Sequence, residues 1–434
     1  FIKSLRMNVF KILSASSLVL GFSFIFRFAL TFVLARYLTS DELGIYSWVV
    51  TVFGIAGIIT NFGLDFFLIR KIPEYRNSSN FKIGHVIRHT LDQSSINAFL
   101  IILVIFVLGY FSVSLFDGAS LYRRELMIII FALPFAAYSL IFSTSIRAFD
   151  FPITGQFIES IVQTGTLLLL TFIFLVLFGN LIPEGYNTFY IALMFVFSWI
   201  FSFCCSFFTY KKFINFSILR SQIVDEKIEW RKDQSSIVFG ILGWSFLGRS
   251  DIFLLAFLVS PSEVGAYFLC LRLGEILMFF QTVAYYVWGA EISNLIQGNR
   301  FGKAQDIIRK SSALCISLTL IMASFGFIFA EEILSLINDR YADYDFLLKI
   351  AFVVFLIKGA SGIIRPLFYI LGEQDFLAKS QWIIGLVFTT LVLTMVPIFG
   401  LTGCLVSFGF CETIFFIVLA IRLHYKHNLS ILPI

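Results

Sequence analysis

"GFSFIFR", residues 21–27, and "GWSFLGR", residues 243–249, are two copies of one motif, and each ends on an arginine. In the first copy Arg27 is the only charge between Leu18 and Leu34, so a guanidinium stands near the middle of a stretch that otherwise reads as membrane-spanning. Working outward from this pair, other stretches match in the same order. "SDELGIYS" (40–47) matches "PSEVGAYF" (261–268), with Glu42/Glu263, Gly44/Gly265 and Tyr46/Tyr267 shared. "KIGHVIRHT" (82–90) matches "KAQDIIRKS" (303–311) at the same spacing, "SLFD" (114–117) answers "SLIN" (335–338), and Phe178-Gly179 answers Phe399-Gly400. Five matches in order at a nearly constant offset predict an internal repeat.

The chain around these matches has 434 residues, 59% of them hydrophobic and 14% charged. That composition excludes a soluble domain and indicates a polytopic membrane protein. A spanning helix needs about 20 mostly apolar residues, and twelve such stretches are predicted: 14–37, 47–70, 92–116, 126–147, 156–179, 188–210, 236–259, 265–289, 311–330, 346–370, 378–400 and 402–422. The fold class is therefore all-α, with twelve transmembrane helices as two six-helix bundles. The bundles are residues 1–210 and 236–434, and the charged stretch 211–235 is a cytoplasmic linker or surface helix. Six spans separate equivalent positions, so both halves enter the membrane in the same direction and form a parallel repeat. Bundles so related leave a cavity between them near the midplane, as alternating access requires.

Lysine and arginine set the orientation. With both termini cytoplasmic, roughly 23 of the 32 basic residues fall in inner segments and about four (Arg36, Arg123, Arg124, Arg340) in outer ones. The net charge of +5 is thereby accounted for without nucleic acid. The basic start (Lys3, Arg6, Lys11) followed by a full-length span reads as a retained first helix rather than a cleaved signal. Six cysteines fall inside spans without metal-ligand spacing and read as small apolar side chains.

A charge at the bilayer centre costs about 2.5–3.5 kcal/mol on insertion scales, so intramembrane charges should face protein or water. Besides Arg27 and Arg249 these are Asp65, Asp251, Arg272, Glu275, Lys358 and Glu412, with Asn61 beside Asp65. Ser16, Ser23, Arg27 and Thr31 share one helical face, and Ser245 and Arg249 repeat the Ser-to-Arg step. Each arginine lies about 13 residues from its cytoplasmic end and so at mid-depth, where the pair suits an anionic ligand such as a diphosphate. Arg272 has Glu275 three residues on and reads as an ion pair. Asp251, two residues from Arg249, points elsewhere. Lys358 has no acid within one turn, which leaves it open either to a ligand or to a pair across helices with Asp65 or Glu412. Asn61 and Asp65, four apart, form a polar patch in the second span.

At "LARYLTSDELGIYSWV" (34–49), "NFGLDFFLIRKI" (61–72) and "EILSLINDRYADYDFLLKIA" (332–351) the chain resembles the Wzx-type flippases of lipid-linked polysaccharide repeat units. These belong to the superfamily that also holds the MATE multidrug antiporters and the lipid II flippases. The resemblance implies a carrier, not an enzyme, that turns undecaprenyl-diphosphate oligosaccharide, such as an O-antigen unit, from the cytoplasmic to the periplasmic leaflet of a bacterial inner membrane. It implies no cofactor, leaves a coupling ion (H+ or Na+) open, and makes other polysaccharide-assembly proteins candidate partners. A cationic cavity would bind the diphosphate through Arg27 and Arg249, then Lys358 and Arg272. Asp65, Asn61, Glu275, Glu412 and Asp251 would supply cavity polarity or ion coupling. The chain ends after twelve spans, whereas the lipid II flippases carry two more, which argues against a peptidoglycan precursor. An ion-coupled multidrug antiporter is the rival reading. An enzyme acting on the same glycans is disfavoured by short outer segments without a nucleophile–base pair.

Overall fold

The computed structural model describes residues 2–76, 80–111, 120–179, 185–214 and 230–430. Residues 215–229 of the predicted linker, and the "SLFD" copy of the repeat, lie outside the described residues. Two compact units emerge, Phe1–Leu242 and Gly243–Ile434. Among the described residues every regular element is helical, and nine helices are long and apolar enough to cross a membrane.

The N-terminal unit contains α1 (Ile2–Tyr37), α2 (Ser40–Asn61), α3 (Leu64–Arg76), α4 (Asn80–Phe111), α5 (Ser120–Ile129), α6 (Leu133–Ala148), α7 (Pro152–Phe157), α8 (Gln163–Phe178) and α9 (Asn187–Phe213). Several predicted spans are not continuous rods. The second, expected over 47–70, begins at Ser40 and breaks at Phe62 and Gly63, whose φ values of 45° and 70° are left-handed. The fourth is interrupted by a 3-10 turn at Ile130–Ala132, just ahead of Pro134. The fifth carries a π turn, Ile158–Val162, between α7 and α8. Phe67, Leu68, Ile72, Ile83, Val86, Ile87, Ile141, Phe142, Ile146 and Tyr210 form a dry core among α3, α4, α6 and α9. Exposed Phe99, Leu100, Leu103, Val104, Val107 and Leu108 clothe α4 in apolar surface of the kind lipid covers.

The second unit comprises the greater part of α10 (Trp230–Leu258), then α11 (Pro261–Glu275), α12 (Met278–Gln297), α13 (Phe301–Ile328), α14 (Ala330–Ile337), α15 (Asp345–Ala360), α16 (Ile364–Ile370) and α17 (Gln374–His427). The tenth predicted span breaks at Ser361–Ile363, where Gly362 has φ 57°. The 54-residue α17 contains Gly400 at φ 59°, ψ −143°. Phe388 and Phe408, about 30 Å apart on a straight helix, have ring centroids 5.7 Å apart. The chain therefore doubles back at Gly400, between the predicted spans 378–400 and 402–422. Glycines admit aromatic rings in this unit: a Cβ on Gly326 would stand 2.4 Å from the Phe352 ring, and one on Gly274 2.5 Å from that of Phe355.

Two helix starts reproduce the sequence match in detail. Thr39 caps α2 in a capping box with Glu42, and Ser260 caps α11 in a capping box with Glu263. Hydroxyls within the spans return their protons to their own helices, as with Thr51 to Ser47 O at 2.8 Å and Ser407 to Gly403 O at 2.7 Å. Those bonds make polar side chains tolerable at membrane depth.

Candidate functional site

On α1, Leu18, Phe22 and Ile25 form an exposed apolar stripe. At about 100° per residue Arg27 lies opposite that stripe, on the side of Ser16, Ser23 and Thr31, all of which are buried. The Ser23 hydroxyl donates to Ser160 O at 3.0 Å, and Gln156 Nε2 donates to Ser16 O at 3.5 Å. These bonds fix the inner face of α1 against α7 and the π turn. Arg27 is nevertheless exposed, unlike Ser16, Ser23 and Thr31 on the same face.

Around it stands a cluster that the sequence reading only half found. Glu159, in the π turn, pairs with Arg147 near the end of α6 at 3.0 Å. Arg147 Nη2 also donates to Thr144 Oγ1 at 3.1 Å, and its Nε is buried without a partner. Asp65, in the first turn of α3, lies within electrostatic range of both Arg147 and Glu159, and Arg27 acts on Glu159 as well. Asn61 and Asp65 do not form the predicted i,i+4 patch. The left-handed residues Phe62 and Gly63 end α2 between them, and Asn61 Oδ1 is buried without a hydrogen bond. Broken helices and π turns leave backbone groups open, which makes such places apt for ligands.

In the second unit Arg249 is exposed on α10. Asp251 turns away from it into the interior, accepting from Tyr267 Oη at 3.0 Å and the Ile252 N–H at 2.7 Å. Arg272 and Glu275 form the expected pair at 2.5 Å. Lys358, two residues before the last residue of α15, pairs with Glu412 at 3.4 Å. Of the two acids considered for it, Glu412 is the partner. Across the break at Ser361–Ile363 Arg365, inside the predicted span 346–370 but not singled out there, also binds Glu412. The buried carboxylate is thus shared by two cations, with Lys358 over the Phe408 ring at 4.8 Å and Arg365 over Phe415 at 4.9 Å. Gln281 of α12 donates to Gly362 O and holds the break from the other side.

No group of three His, Cys, Asp or Glu stands in metal-binding geometry among the described residues. Residues 5–288, well over half of the chain, match the family described as polysaccharide biosynthesis protein. The chain belongs to that family. No curated protein sequence matches it. Its fold is shared with solved transporters. An inward-facing multidrug resistance MATE family transporter of the MOP superfamily superposes with a TM-score of 0.75 at 13% identity, covering 91% of this chain and 92% of that one. The lipid II flippase MurJ, in an inward closed conformation, gives 0.71 at 13% identity, over 94% and 87%. The MATE multidrug transporter DinF-BH, in complex with R6G, gives 0.66 at 15% identity, over 97% and 95%. At these identities the likeness establishes the fold alone, an all-helical arrangement among the described residues with several helices long and apolar enough to cross a membrane. Site residues do not carry over, and Arg147, Glu159 and Arg365 had to come from the geometry of this polysaccharide biosynthesis family member itself.

Proposed function

We propose that the protein is a flippase that carries undecaprenyl-diphosphate-linked oligosaccharide, an O-antigen or related repeat unit, from the cytoplasmic to the periplasmic leaflet of a bacterial inner membrane. It does so by alternating access, with twelve crossings in two repeated bundles and both termini in the cytoplasm. The observation that carries this reading is the polysaccharide-family match in a fold shared with a lipid II flippase. The charges agree with it. Arg27 and Arg249 are exposed arginines at matching positions of the repeat, and a guanidinium binds phosphate oxygens in bidentate fashion. Lys358 and Arg272, each of which holds a carboxylate, complete the proposed set. With the cavity arginines fixed in the field and no cation travelling with it, a doubly negative headgroup leaving a negative interior gains roughly 4.6 kcal/mol per 100 mV; each proton that travels with it removes half of that gain.

Reconstitution with labelled lipid-linked repeat unit tests the proposal. The substrate should become accessible in the far leaflet only in vesicles that contain the protein; equal rates in empty vesicles would refute it. In cells, R27A and R249A should each abolish surface polysaccharide, with partial rescue by lysine. Full activity of the double alanine variant at wild-type expression would remove the two arginines from the mechanism. The MATE-like antiporter reading rests on the similarity to the multidrug transporters and on intramembrane acids such as Asp65. Proton- or sodium-driven export of organic cations, without glycolipid transfer, would favour it.

A further inference from the structure

In the N-terminal unit two guanidiniums, Arg27 and Arg147, share one neighbourhood with two carboxylates, Asp65 and Glu159. Counting one charge each, the cluster is neutral. Glu159 already occupies Arg147 at 3.0 Å and sits on a π turn rather than a regular helix. Gly155 lets the Arg147 side chain lie directly on α7, since a Cβ there would stand 2.5 Å from Arg147 Cγ. The guanidinium is thereby held in place while its Nε still lacks an acceptor.

We infer that Arg147 is a third headgroup ligand and that Glu159 stands in for a substrate phosphate in the empty protein, giving way to a diphosphate that arrives along Arg27. This rests on the flippase reading above and adds a consequence to it. A diphosphate diester brings two negative charges to a neutral cluster and would leave it at −2. Protons taken up on Glu159 and Asp65 cancel that excess, so headgroup and protons bind together and not in exchange. The charged groups that face Glu159 are Arg147 of α6, Asp65 of α3 and Arg27 of α1. Helix α8, which also packs on the π turn, has no titratable residue in its sequence. Among the described residues α9, its other neighbour, contributes no charge acting on Glu159.

The test is equilibrium binding of a short-chain prenyl diphosphoryl-N-acetylglucosamine, a diester that keeps both negative charges throughout the assay range, to the full chain in nanodiscs at a series of pH values. For each proton taken up, affinity should rise about tenfold per pH unit as pH falls. E159Q removes the resident anion while keeping its shape. It should bind more tightly than wild type at neutral pH, with the slope of log affinity against pH reduced by about one. D65N should also flatten the slope, and serves as the second variant if E159Q is poorly folded by size-exclusion chromatography. Affinity independent of pH in the wild type, or weaker binding by folded E159Q, would overturn the inference and leave the flippase reading standing. No binding by any variant at any pH would overturn both.

Discussion

Glu412 offers the sharpest perturbation. It is 3% exposed and lies between Lys358 and Arg365, themselves only 16% and 14% exposed. At 3.4 Å and an effective dielectric of 20, the Lys358 attraction alone is roughly 5 kcal/mol before desolvation. The cost of burying the three ions offsets most of this, so the intact triad adds little net stability. Removing only the acid differs, because two buried cations are then left facing each other; such losses run to about 3–5 kcal/mol. The faces of Phe408 and Phe415 return part of that, about 0.5–2 kcal/mol each. We therefore expect E412Q to lose about 3 kcal/mol and to melt on the order of 10 °C below wild type, by the scaling for domains of this size. The assay is thermal unfolding in detergent, followed by tryptophan emission. The triple replacement K358M/R365L/E412L, which removes every charge of the group, should recover most of the loss. An unchanged melting temperature for E412Q would show that the acid does not neutralise the two cations, and the reasoning would fail.

Glu373, in the turn between α16 and α17, is clasped by Lys426, Arg422 and His427. The Lys426 hydrogen bond first, then Arg422, holds its carboxyl at about 2, below the ordinary 4.5. A depressed value means that the clasp contributes fully above about pH 4.5 and is lost as pH falls toward 2. Wild-type stability should decline across that window while E373Q stays flat, as read by melting curves at several pH values. T39A and S260A should each cost about 1 kcal/mol through loss of the capping box. E42A should cost more than E263A, because Glu42 also accepts from the Gly185 N–H at 3.1 Å. Chemical denaturation of the four variants gives both comparisons.

Hydropathy and repetition made the helical class legible, and the paired "SDEL" and "PSEV" stretches turn out to open on equivalent capping boxes. Interactions along one helix were also readable, as Arg272 and Glu275 show, because 3.6 residues per turn fixes who meets whom. The sequence was opaque wherever that period stops. Asn61 and Asp65 looked like neighbours until Phe62 and Gly63 turned the chain between them. Arg147, at the very end of the predicted span 126–147, and Arg365, near the end of 346–370, were not among the candidate charges. Glu159 was passed over near the start of its span, and its partner lies twelve residues back around the bend that joins α6 to α7. Pairings of this kind depend on helix breaks that hydropathy averages away.

The doubling-back of α17 at Gly400 bears on how the molecule can be altered. A return made on one residue, with a Cβ-free backbone angle, offers proteases nothing to grip and protein engineers nowhere to splice. An epitope or fluorescent domain inserted there would pry apart Phe388 and Phe408, so topology reporters belong elsewhere in the chain. For the same reason the two arms of that hairpin should be inherited, and should move, as one piece.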